Sequence, residues 1–170
     1  MLRLVVQRGL CDPRLLASCE YDLGKCFEKG TGIKKSAPNA LYYYRISAEH
    51  GNESAQNRLG DAYLEGELGL KKFPEKAIEY YQLAATHGGS FSLAMIGECY
   101  ERGEGTEQSW DQAFKYYHLA ANNHKESYEC DSLEAQEQRR VYGWLAYCYQ
   151  EGKGCDRSSE EAAKYFKLGA

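Results

Sequence analysis

The side chains with chemistry to offer are 7 cysteines, 4 histidines and 15 tyrosines in 170 residues. No two cysteines have C-x-x-C spacing, and His50, His87, His118 and His124 form neither H-x-H nor H-E-x-x-H. A metal site needs such convergent spacing, so no metal ligand is assigned. Cys11 with Cys19, or Cys148 with Cys155, could pair, while the odd total leaves at least one thiol free even in an oxidising compartment. Neither S-x-x-K nor G-x-S-x-G occurs, which removes the common serine nucleophiles. The G-x-G loops lack the third Gly and the Lys-Ser/Thr of a phosphate cradle, so nucleotide binding is not expected. No catalytic residue and no cofactor follow from these side chains. Asn52-Glu53-Ser54 is a glycosylation sequon that matters only in a secretory lumen.

The aromatic and small residues belong to an internal repeat. Four segments share one frame: Leu23 to Phe27 (LGKCF), Leu59 to Tyr63 (LGDAY), Ile96 to Tyr100 (IGECY) and Leu145 to Tyr149 (LAYCY). Gly follows three residues after each aromatic, at Gly30, Gly66, Gly103 and Gly152, with a second at Gly32, Gly69, Gly105 and Gly154. A second block recurs at Ala40 to Ala48, Ala77 to Ala85, Ala113 to Ala121 and Ala162 to Ala170. Steps of 36 and 37 residues, then one of 49, indicate a solenoid with about a dozen residues inserted before the last copy.

Each copy reads as helix, glycine loop, helix. Ala55, Leu59, Ala62 and Tyr63 fall at i, i+4, i+7 and i+8, one face of an α-helix. Gly60 and its equivalents are expected where two helices approach closely, because a mid-helix Gly otherwise costs about 1 kcal/mol. In the second helix Ala77, Tyr81 and Ala85 form one stripe, which assigns the tyrosine pairs to the core with their phenol oxygens at its edge. Cys26, Cys99 and Cys148 share the register of Ala62 and read as small buried residues. Asp131-x-x-Glu134 resembles a capping box, which starts a longer helix near Ser132 that runs to Gln150.

Composition sets the outer limits. Hydrophobic residues make up 43% and charged residues 27%, as in a globular protein. No apolar run approaches the roughly 18 residues of a bilayer span, so this segment is not expected to insert into a membrane. A net charge of −4 argues against tracking nucleic-acid phosphates. Met1 to Leu10 holds no apolar stretch of signal-peptide length, which favours the cytoplasm, or a secretory lumen if a signal has been lost. The last helix stops at Ala170 before any terminal Gly, so a fragment of a longer array is expected.

The two blocks resemble the Sel1-like repeat family, whose motif runs roughly A-x-x-x-L-G-x-x-Y-x-x-G-x-G and then K-A-x-x-W/Y-Y-x-x-A-A-x-x-G. The resemblance implies an all-α fold, an α/α superhelical solenoid of about four helix-loop-helix Sel1-like repeats, related to tetratricopeptide proteins. One repeat domain over residues 1–170 would comprise units of about 10–52, 53–89, 90–126 and 132–170, with the insertion at 122–137. Ala146 departs from the motif at the helix Gly, unit two carries one extra loop residue, and Thr106 replaces the usual hydrophobic after G-x-G. The resemblance implies a non-catalytic scaffold or adaptor that binds a protein or peptide partner. Its alternatives are a β-lactam-binding or hydrolysing enzyme, like cysteine-rich bacterial relatives, and a structural spacer in a larger regulator.

In tandem helical repeats the first helices line a concave surface that grips a partner segment. Offsetting from the Leu-Gly anchor gives Tyr21 and Lys25, then Asn57, Arg58 and Asp61, then Met95 and Glu98, then Trp144 and Tyr147. Asp22, Ala94 and Gly143 share those registers. Trp144 and Tyr147 make the best anchor pair, since aromatic residues dominate interface hot spots.

Overall fold

A computed structural model describes residues 12–86, 88–123 and 133–170. Among them are eight α-helices and no strand: α1 (Pro13–Lys29), α2 (Ala37–Glu49), α3 (Glu53–Glu65), α4 (Pro74–Ala85), α5 (Ser90–Arg102), α6 (Trp110–Asn122), α7 (Leu133–Glu151) and α8 (Ser159–Gly169). Odd helices carry the first block and even helices the second. The chain divides into two compact units, Met1–Ala84 and Ala85–Ala170. The helix expected over Ser132 to Gln150 is α7. The capping box at Asp131, together with Met1 to Cys11, His87 and His124, lies outside the described residues.

Each helical hairpin is closed by the same backbone device. The first helix ends on a left-handed glycine (Gly30, Gly66 or Gly103), whose N–H donates to the carbonyl of Cys26, Ala62 or Cys99 respectively. The chain then returns, and Ser36, Phe73, Ser109 and Ser158 donate their N–H to the carbonyls of Phe27, Tyr63, Tyr100 and Tyr149, at 2.8–3.0 Å. Ser36, Ser109 and Ser158 then cap α2, α6 and α8 through their hydroxyls. In the second repeat the extra loop residue brings Leu68 to φ 54, a left-handed conformation uncommon for a branched side chain.

Above that loop the first aromatic of each pair stacks on the aromatic of the first helix. Phe27 lies 5.5 Å from Tyr43, Tyr63 lies 5.6 Å from Tyr80, Tyr100 lies 5.5 Å from Tyr116 and Tyr149 lies 5.7 Å from Tyr165, all within 11° of parallel. The second aromatic goes deeper. Tyr44 and Tyr81 are fully buried and Tyr117 nearly so. A Cβ on Gly24 would sit 2.6 Å from the Tyr44 ring, and one on Gly60 would sit 2.5 Å from the Tyr81 ring. At Gly97 the nearest Tyr117 atoms stand 3.2 Å away. The missing Cβ therefore makes room for the ring, and the expected close approach is found.

The fourth repeat solves the same packing differently. Ala146 is fully buried where the others have Gly, Tyr165 takes the stacked position, and Phe166 in the second position is 51% exposed. The small-residue register gives mixed results. Ala62, Cys99 and Cys148 are buried as expected, whereas Cys26 is only half-buried. Ala94, placed by register on the outer face, is instead core, packed with Leu93, Tyr117 and Leu145.

These contacts give opposite signs to two glycine substitutions. Gly60→Ala gains helix propensity but drives a methyl into the buried Tyr81 ring, and is expected to lose about 1–3 kcal/mol in urea unfolding. Gly143→Ala in α7, where nothing lies within 4 Å of the added carbon, is expected to gain up to about 1 kcal/mol. If both moved stability in the same direction, the close-approach reading of Gly60 would be wrong.

Candidate functional site

Burying a tyrosine ring carries its phenol inside, where an unpaired hydroxyl is costly. Each one finds a carboxylate on the first helix of its own repeat. Tyr44 donates to Glu28 at 2.5 Å, Tyr81 to Asp61 at 2.7 Å and Tyr117 to Glu101 at 3.1 Å. Glu28 and Glu101 stand four residues after the helix Gly, whereas Asp61 stands one after it. The fourth repeat has Gln150 at that position and Phe166 in place of the phenol, so neither partner of the bond is present.

In the first unit the bond extends into a network. Arg58 of α3 forks onto Glu28 of α1, with Nε 3.3 Å from the carboxylate, and also pairs with Glu67 at 2.7 Å. Burial raises the Glu28 pKa, but hydrogen bonds from Arg58 and Tyr44 outweigh it, so the carboxyl titrates below its usual range. Asp61 behaves oppositely. Burial raises its pKa, and the Tyr81 bond and the Arg58 charge only partly offset this. Beside the network lies a cleft of about 500 Å³ in which Tyr21, Lys25, Lys29, Lys35 and Arg58 stand over Glu28 and Tyr44. Tyr21 packs 5.6 Å from Tyr44, and Lys25 pairs with Asp22 at 3.5 Å.

The second unit carries an aromatic shelf. Trp144 of α7 stacks on Tyr117 at 4.4 Å and on Trp110 at 5.7 Å, and meets Tyr147 edge-on at 6.0 Å. Tyr147 is 41% exposed, and Trp110 and Trp144 are half-buried. Lys153, from the loop between Gly152 and Gly154, covers the shelf. Its ammonium stands 4.0 Å from the Trp110 ring centre and 4.9 Å from that of Tyr147, and donates to the Tyr147 hydroxyl at 2.7 Å. On α5, Glu98 pairs with Arg102 at 2.5 Å and with Arg140 of α7 at 3.3 Å, and Arg140 also reaches the Met95 sulfur at 3.8 Å.

The residues expected on the outer first-helix surface thus fall into separate groups. Tyr21, Lys25 and Arg58 line the cleft of the first unit, and Trp144 and Tyr147 form the shelf of the second. Arg58, Asp61 and Glu98 are committed to internal ion pairs and hydrogen bonds. Met95 stands half-buried beside Arg140, and Asn57 is half-buried on α3. Trp110 and Lys153 belong to the shelf and were not anticipated. The available signal was that Lys153 alone places a cation inside a G-x-G loop.

The two fully buried thiols among the described residues are not activated. Burial pushes Cys99 and Cys148 up to about 12, so both are protonated at neutral pH. Cys148 and Cys155 are free thiols, as are Cys19 and Cys26, so the considered Cys148–Cys155 pairing is not formed. Cys11 lies outside the described residues. His50 stands at the end of α2 and bonds Glu20 at 2.7 Å. Among the described residues no group of His, Cys, Asp or Glu converges as a metal site, and no helix is long and apolar enough to cross a membrane.

A family model described as Sel1 repeat matches residues 17–52, 53–89, 90–124 and 142–170. Among solved structures, a protective antigen of uropathogenic Escherichia coli strains displaying an SLR fold superposes with a TM-score of 0.78 at 26% identity, over 91% of this chain and 30% of that one. A Sel1 repeat protein from Oxalobacter formigenes gives 0.76 at 25% identity, over 90% and 57% respectively. The chain therefore spans between about a third and three fifths of the length of these two proteins. A search of curated proteins returned no significant match.

The two carboxylates predict opposite responses to neutralisation. Glu28, held below its unfolded value, contributes stability that is present above that value and lost as pH falls through its folded pKa. Glu28→Gln should therefore cost about 1.5–3 kcal/mol at pH 7, with the deficit shrinking in acid. Asp61, held above its unfolded value, subtracts stability once pH exceeds both values. Asp61→Asn keeps an acceptor for Tyr81 and should match or exceed the wild type at pH 7, with that advantage gone in acid. Urea titrations at neutral and acidic pH would check both signs.

Proposed function

Because the chain belongs to the Sel1 repeat family, we propose that it is a non-catalytic interaction scaffold whose first-helix surfaces bind a segment of a protein partner. Proteins of this repeat class mediate protein–protein contacts in general. The observation that carries the finer reading is the shelf of Trp110, Trp144 and Tyr147. Tyr147 is 41% exposed and Trp110 and Trp144 are half-buried beside it, while Tyr117 stacks on Trp144 and holds it in place. Rigid, partly exposed aromatic surface loses little entropy on docking, which is why such residues dominate hot spots. The hydrolytic reading draws no support from Cys99 and Cys148, which burial keeps protonated.

The test is site-specific photocrosslinking in the full chain. Benzoyl-phenylalanine replacing Tyr147 should trap a protein partner, whereas the label at exposed second-helix positions Tyr42 or Leu119 should not. Tyr147→Ala, which removes an exposed side chain and leaves the core contacts of Trp144 in place, should weaken that partner at least tenfold. Equal trapping from Leu119 and Tyr147, or unchanged affinity on Tyr147→Ala, would rule the surface out.

A further inference from the structure

We propose that the shelf of the second unit is a recognition site for a primary ammonium, the lysine side chain of the partner segment, and that Lys153 fills it in the free protein as an internal stand-in. The inference rests on the reading that this shelf meets a partner, and adds the chemistry of what it meets.

The argument begins with how the Lys153 charge is held. Among the described residues no carboxylate lies within ion-pairing distance of its ammonium. Two electron-rich faces, Trp110 at 4.0 Å and Tyr147 at 4.9 Å, and the Tyr147 hydroxyl at 2.7 Å take that place. Indole is the best neutral ring for a cation, and the attraction grows as water is excluded. The phenol oxygen accepts an N–H, which a primary ammonium supplies. Glu101, already the acceptor of Tyr117, is close enough to feel the lysine charge.

The second part concerns what is fixed and what is free. The shelf is packed from within: Trp144 stacks on both Tyr117 and Trp110, 22–26° from parallel to each. The loop backbone is held as well. Lys153 donates its N–H to the carbonyl of Cys148 at 3.0 Å, and Gly154 lies so close to Trp110 that a Cβ would come within 2.3 Å of its carbonyl oxygen. The Lys153 side chain is fastened only at its tip. A flexible tether on a preformed site is an occupant that a second ammonium can displace without moving backbone. No other pair of successive repeats combines these parts: Trp110 and Lys153 correspond to Ala37 and Glu67 for the first and second repeats, and to Pro74 and Glu104 for the second and third.

If Lys153 competes with the partner, removing it strengthens binding, the reverse of what a contact residue would do. The probe is acetyl-Gly-Lys-Gly-amide, with its norleucine counterpart as the neutral control, at constant ionic strength. The chain has only 2 Trp, so the two indole N–H signals in a nitrogen–proton spectrum report Trp110 and Trp144 directly. We expect saturable shifts of both, with the lysine peptide binding about three- to tenfold more tightly to Lys153→Ala and Lys153→Gln than to the wild type. The norleucine peptide should give no saturable shift. Tyr147→Phe placed on the Lys153→Gln background should weaken the lysine peptide. Equal affinity for wild type and both variants, or equal response to lysine and norleucine peptides, overturns the proposal. The Gln variant keeps most of the stem over Trp110, so the test survives any loss of folding in the Ala variant. Partner crosslinking from Tyr147 with no ammonium binding would leave the scaffold reading standing and remove this one. Ammonium binding with no partner at Tyr147 would do the opposite.

Discussion

A buried tyrosine ring resting against a helical glycine is the contact on which each of the first three hairpins depends. It decides how closely the two helices approach, because the ring occupies the space a Cβ would need. Close approach then creates a second requirement. The phenol is carried inside with the ring, and it needs an acceptor that the facing helix must provide. Glu28, Asp61 and Glu101 meet that requirement, and each in turn brings a charge into a half-buried place. In the first unit Arg58 compensates Glu28, and the result is an ion-pair network linking α1 to α3. Steric fit, hydrogen bonding and charge are thus consecutive consequences of one packing choice.

The fold was largely legible because these requirements recur at fixed spacing. Gly60 could be assigned to a close approach from its cost in a helix, and the Tyr81 stripe to the core from its period with Ala77 and Ala85. Other features follow from how two helices face each other, which no single-helix period encodes. Asp61, one residue after Gly60, and Glu101, four after Gly97, lie on the same helix face, so spacing does not say which carboxylate meets the phenol. Ala94 was placed outside by offset from an anchor, yet the α5–α7 packing covers it. Trp110 opens a second helix and Lys153 belongs to a turn, so a search confined to first helices passes over both.

The two units carry different chemistry on the same scaffold. The cleft of the first unit is lined by lysines around a carboxylate that is already saturated by Arg58 and Tyr44. The shelf of the second is aromatic and holds a single cation with no carboxylate paired to it among the described residues. What distinguishes them is the residue type at positions the packing leaves unconstrained: Lys25 and Lys29 on one side, Trp110 and Tyr147 on the other. The repeat frame stays constant while the surface is rewritten one copy at a time.

The fourth repeat shows what that frame demands of sequence change. Ala146, Gln150 and Phe166 replace the glycine, the carboxylate and the phenol together, and the Phe166 ring lies half in solvent. The three positions are therefore coupled, and the order of substitution matters. A methyl at the glycine position is harmless only once the second ring has left the interface, and a phenol there requires an acceptor to be in place first. Copies of the repeat exchanged piecemeal would pass through clashing or unsatisfied intermediates, which exchanging the whole hairpin avoids within that hairpin. In this sense the unit of inheritance is the hairpin, and single residues within it are contingent on one another.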